Sequence, residues 1–101
     1  MNTMKENPFD IGNFVNVLTA ERAAFELVER FKKRRREKGL SQRRIAELSG
    51  VSYASVRRFE ASGEISLHAL MGLASALGCL ADFGGLFSHP IITDLKEYRH
   101  D

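Results

Sequence analysis

The chain has 101 residues, 44% hydrophobic and 28% charged, with a formal net charge of +2. That length supports one domain with modest extensions. No run of about eighteen apolar residues exists, so no membrane-spanning helix is expected. The single cysteine, Cys79, excludes an internal disulfide and fits a reducing cytoplasm.

The net charge says little, but its distribution says more. Between Arg30 and Arg58 there are eleven Lys/Arg against two acids, Glu37 and Glu47, a local excess of nine positive charges. The rest of the chain holds four Lys/Arg against eleven acids, a deficit of seven. Such asymmetry points to a polyanion on one face. The run Lys32-Lys33-Arg34-Arg35-Arg36 is its densest part. Alone it would also suit a solvated helix end and, less often, a membrane surface.

In chain order, residues 1–18 read as an N-terminal extension. Met1 to Asn7 is polar and expected to be disordered. Met1 to Asn13 lacks the basic start and apolar core of a secretory signal. Phe9 to Leu18 is ambiguous: Ile11, Phe14, Val15 and Leu18 have helical spacing, whereas Gly12, Asn13 and Asn16 weaken a helix and Val15 and Val17 favour a strand. It is expected to pack on the domain or on a second subunit.

The domain is expected over residues 19–87. Thr19 suits an N-cap, and the first long helix should run from about Ala20 to Lys38, burying Ala24, Leu27, Val28 and Phe31. Its basic residues crowd the last turns, where the helix dipole favours cations, and Gly39 ends it. Arg35 follows Phe31 by four residues, so it extends the apolar stripe and needs a partner or a route to solvent.

The stretch from Gln42 to Glu60, QRRIAELSGVSYASVRRFE, holds two short helical patterns. Ser41 caps the first, whose apolar side is Ile45, Ala46 and Leu48. Gly50 can take the positive φ of a tight helix-to-helix turn, and Ser52 caps the second. At about 100° per residue, Ser52, Ser55, Val56 and Phe59 share one side of that second helix. Tyr53, Ala54, Arg57, Arg58 and Ala61 share the other, which carries cations and no acid. A packable back and a cationic, hydrogen-bonding front suit the major groove of DNA.

Ala61 to Ile65 forms a loop. Ser66 then caps a helix over Leu67 to Leu77, with Leu67, Leu70, Met71, Ala74 and Leu77 inside and Gly78 at its end. Leu80, Phe83, Leu86 and Phe87 suggest a fifth short helix, weakened by Gly84-Gly85. Residues 88–101 read as a C-terminal tail, broken at Ser88-His89-Pro90, in which Thr93-Asp94 can start a turn with Leu95 and Tyr98 on its apolar side.

Gln42, Ala46, Gly50, Val56 and Phe59 match, in one register, the helix-turn-helix of phage-repressor and Cro-like (XRE-type) regulators, which the stretch from about Phe31 to Leu80 resembles. The resemblance implies an all-α fold, a five-helix lambda-repressor-like DNA-binding domain. It implies that Tyr53, Ala54 and Arg58 face base edges, with Arg57 beside them by helical geometry. Relatives often carry glutamine or another polar reader where Tyr53 or Ala54 stands, so Tyr53 reads a base or touches a phosphate. Gln42 and Arg43, with Ser52, Ser55 and Ser62, are the expected phosphate contacts. The family pairs an arginine four residues before the helix-ending glycine with a glutamate closing the second helix; here these are Arg35 and Glu60. The fifth helix often supplies a dimer contact, so Phe83, Leu86 and Phe87 either meet a second subunit or close the core.

No catalytic or metal-binding pattern stands out: His68, His89 and His100 are scattered, and no Cys/His spacing suits zinc. No cofactor is expected. The function expected is a transcriptional repressor that binds double-stranded DNA as a homodimer on an inverted repeat. ISLHAL and DFGGLF, followed by HPIITDLKEY, resemble antitoxins that partner a HipA-type kinase toxin and repress their own operon. The alternatives are a free-standing or phage-type repressor, and a protein-interaction module that uses the fold without DNA.

Overall fold

The computed structural model describes residues 17–91, and within them every regular element is helical. Helix α1 runs Ala20–Glu37, α2 Gln42–Ser49, α3 Tyr53–Ser62 and α4 Leu67–Ala76; a 3-10 helix follows at Leu80–Gly85. The expected extension therefore lies outside the described residues except for Val17 and Leu18, and the expected tail beyond Ile91 does likewise.

Each α-helix starts on a hydroxyl that accepts an otherwise unpaired amide. Thr19 accepts from Arg22, Ser41 from Arg44, Ser52 from Ser55 and Ser66 from Ala69, all at 3.0–3.1 Å. Each such cap contributes roughly 1 kcal/mol. The turn between α2 and α3 depends on Gly50, at φ 75°, whose amide bonds back to the Ala46 carbonyl at 3.0 Å. An added Cβ at Gly50 would meet nothing within 4 Å. Backbone strain is thus the whole objection to a larger residue there.

The core draws on all four α-helices: Val28 and Phe31 from α1, Ile45 and Ala46 from α2, Val56 and Phe59 from α3, and Leu73 from α4 with Leu77 just past its end. Phe31 and Phe59 meet edge to face, ring centroids 5.2 Å apart. Helix α2 packs on both α3 and α4, while α1 packs on α3. Ala46 is small enough to let α2 cross its neighbours closely, and it is buried. Gly72 gives α4 the same freedom: a Cβ there would stand 3.3 Å from the Ser49 carbonyl oxygen and 3.4 Å from Val51.

Three details differ from the sequence reading. Leu67 is 70% exposed, and the fully buried residue of α4 is Leu73. Helix α4 meets α2 at its middle, around Gly72, so its first turn projects past the contact. Leu48, on the expected apolar side of α2, is half exposed at its C-terminal end. The fifth helix is a 3-10 segment that stops at Gly85; Leu86 and Phe87 lie beyond it, 63% and 94% exposed. They do not close the core, and only Phe83 is partly covered.

Candidate nucleic-acid interface

Helix α3 is fastened by its back. Val56 and Phe59 are 0% and 1% exposed, so rotation of the helix about its axis would unpack both. That fixes the opposite side: Ala54, Arg57, Arg58 and Ala61 are exposed and Tyr53 is half-buried. Ala54, Arg57, Arg58 and Ala61 line one face, and Tyr53 meets Arg57 while packing against the core.

The C-terminal end of α3 is locked by a buried ion pair. Arg35 Nε donates to Glu60 Oε2 at 2.8 Å and its Nη2 to Oε1 at 3.1 Å, with both side chains under 10% exposed. Arg35 Nη1 also donates to the Leu40 carbonyl at 2.8 Å. Gln42 completes the cluster, its Nε2 donating to Glu60 Oε1 at 2.9 Å. One carboxylate thus ties α1 and the start of α2 to α3, and Arg35 adds the α1–α2 turn through Leu40. The planar guanidinium fork satisfies both carboxylate oxygens at once, which an ammonium could not do.

The basic run around Arg35 divides among several faces. Arg35 turns inward. Arg34 turns to an apolar groove on the other side of α1, beside Leu27, Leu77 and Phe83. Lys32 and Arg36 face the α3 side, where with Gln42, Ala54, Arg57, Arg58, Glu60 and Ala61 they line an open depression of about 560 Å³. Lys32 also pairs with Glu29 at 2.9 Å, whereas Arg36 has no carboxylate within ion-pair distance among the described residues. Helical spacing alone could have separated these directions, since Lys32 and Arg36 are one turn apart and Arg35 is not in their row.

The expected phosphate contacts vary in what they have left to give. Gln42 spends one amide proton on Glu60 and keeps a second. Ser55 accepts from the Ser52 hydroxyl at 2.8 Å and retains its own proton. Ser52 is committed to Ser55, and the Ser62 hydroxyl donates to the Arg58 carbonyl at 2.9 Å. Arg43 lies over the Tyr53 ring, its guanidinium carbon 4.1 Å from the centroid. Arg58 Nε reaches Glu64 at 3.3 Å, but both side chains are at least 70% exposed, so the pair holds it weakly.

A family model described as helix-turn-helix matches residues 31–83, more than half of the chain, including α2, α3 and the last turns of α1. The chain belongs to the helix-turn-helix family. It is a DNA-binding transcription regulator of the XRE kind. Searches of curated proteins and of solved structures found no match to the chain. Among the described residues of this helix-turn-helix protein, no group of three or more His, Cys, Asp or Glu is placed to hold a metal ion, and no helix is long and apolar enough to cross a membrane.

Proposed function

We propose that the chain is a repressor that binds an inverted-repeat operator as a homodimer, reading each half-site with the front of α3. The observation that carries this reading is the cationic face of a helix whose opposite side is sealed into the core by Val56 and Phe59. In it, Tyr53, Ala54, Arg57 and Arg58 approach base edges. Gln42, Arg43 and Ser55 hold phosphates at the start of α2 and α3, with Ser52 and Ser62 beside them. Arg57 and Arg58 suit guanine, which offers two acceptors to one guanidinium. A single α3 reads too few base pairs for a unique site, and two-fold pairing on half-sites about one helical turn apart doubles the readout. Exposed Leu86 and Phe87, next to Phe83, supply apolar surface for that pairing.

The depression beside α3 adds Lys32 and Arg36 to the phosphate contacts. Binding to duplex DNA should weaken steeply with salt, by roughly 0.9 in log–log slope for each phosphate neutralised. Replacing both Lys32 and Arg36 with alanine should therefore flatten the slope by about 2, at unchanged base preference. A wild-type protein whose binding does not respond to salt would favour the reading as a protein-interaction module.

An antitoxin role beside a HipA-type kinase is a narrower form of the same reading. The two stretches that suggest it, Ile65–Leu70 and Asp82–Phe87, carry Leu67, Leu86 and Phe87 on the surface. A kinase encoded beside this chain should bind it. If none is encoded there, a free-standing or phage-type repressor is the better description.

A further inference from the structure

Tyr53 is an odd residue to find on a reading face. Its ring is half-buried and packs against the core cluster, so it sits as a fixed platform at the first turn of α3. Two guanidiniums are gathered around it. The Arg43 carbon lies 4.1 Å from the ring centroid and that of Arg57 5.6 Å, both within the range of cation–π attraction. The two arginines come from different helices. Arg57 is one turn along α3 from Tyr53, and Arg43 is in the first turn of α2.

Among the described residues, neither arginine has another side-chain partner. Neither has a carboxylate within ion-pair distance among the described residues, whereas neighbouring Arg44 is tied to Glu47 at 2.9 Å and Arg58 to Glu64 at 3.3 Å. A long, exposed arginine without a partner samples many rotamers, and ordering it on binding carries an entropic cost. The electron-rich ring face favours keeping both cations close to it, against their mutual repulsion.

We propose that Tyr53 is a positioning residue: it acts through its ring, as a platform that holds Arg43 and Arg57 in place for DNA, and not through its hydroxyl as a reader. The inference rests on the DNA-binding reading and assigns Tyr53 a different part within it. Arg43 stands where the motif meets the phosphates and Arg57 where it meets the bases. The ring thereby couples backbone position to base position across the two helices of the motif.

The test compares Tyr53→Phe, which keeps the ring, with Tyr53→Leu, which keeps an apolar side chain against the core but has no π face. Binding is read by fluorescence anisotropy on a duplex selected from a random pool by the wild-type protein. Tyr53→Phe should bind within about 2-fold of wild type with the same base preference, and Tyr53→Leu should lose on the order of 10-fold. Arg43→Ala should cost much less in the Tyr53→Leu background than in wild type, because both remove one device. Equal losses in Tyr53→Phe and Tyr53→Leu would make the hydroxyl the active group and overturn the proposal. No loss in either would do so as well. A wild-type protein that selects no duplex would instead overturn the DNA-binding reading. In that event, ring-current shifts at the Arg43 and Arg57 side-chain protons, present in wild type and absent in Tyr53→Leu, still decide whether the platform exists.

Discussion

Alanine at both Arg57 and Arg58 should remove the preference for any operator while leaving the domain folded. A bidentate arginine–guanine contact discriminates by about 1–3 kcal/mol, so losing two from each α3 lowers selectivity by roughly 30-fold or more per half-site. The fold should not notice. Both side chains are exposed, the core side of α3 is untouched, and the one ion pair removed, Arg58 with Glu64, is itself solvent-exposed. Competition between a selected duplex and random DNA measures the effect, with thermal unfolding as the control. Normal site selection by the double variant would mean that the front of α3 is misassigned.

Arg35→Met should have the largest effect on stability. It leaves the Glu60 carboxylate buried with only the Gln42 amide for company and removes the donor to the Leu40 carbonyl. Breaking one side of a buried pair costs about 3–5 kcal/mol, a large part of the ~5–15 kcal/mol that a small domain has. The melting temperature should fall by more than about 10 °C. Adding Glu60→Leu should recover much of the loss, because an apolar pair needs no compensation for a buried charge. An unchanged melt in Arg35→Met would show that the pair contributes nothing. The same lock bears on function, since it sets where the end of α3 sits relative to α1 and the start of α2.

How far the sequence led depends on which physical signal each residue carries. Caps and turns were legible because their chemistry is local: Thr19, Ser41, Ser52 and Ser66 stand one residue before their helices, and Gly50 ends α2. The two sides of α3 followed from periodicity alone. The Arg35–Glu60 pair came from resemblance, because nothing in the spacing joins residues 25 apart. Helix α4 was harder. Its sequence, LHALMGLASA, is apolar on nearly every side, so periodicity could not show that Leu73 is inside and Leu67 outside. That depended on where Gly72 lets α2 approach, a tertiary fact. The Arg43 cation over Tyr53 was equally invisible, since the two meet across a turn, whereas Arg57 stands one turn along α3 from the ring. The sequence showed the basic run as a block, and the helix distributes it: Arg35 to the core, Arg34 to the far groove, Lys32 and Arg36 to the α3 side.

The most direct test is to titrate the ¹⁵N-labelled protein with a selected duplex and follow the backbone amides. The expected result is that the largest shifts map to Tyr53–Arg58, to the first turn of α2 around Gln42 and Arg43, and to the Lys32–Arg36 side of α1, while the groove beside Leu27 and Leu77 stays quiet. Shifts confined to that groove and to Leu86 and Phe87, with the front of α3 unmoved, would contradict it.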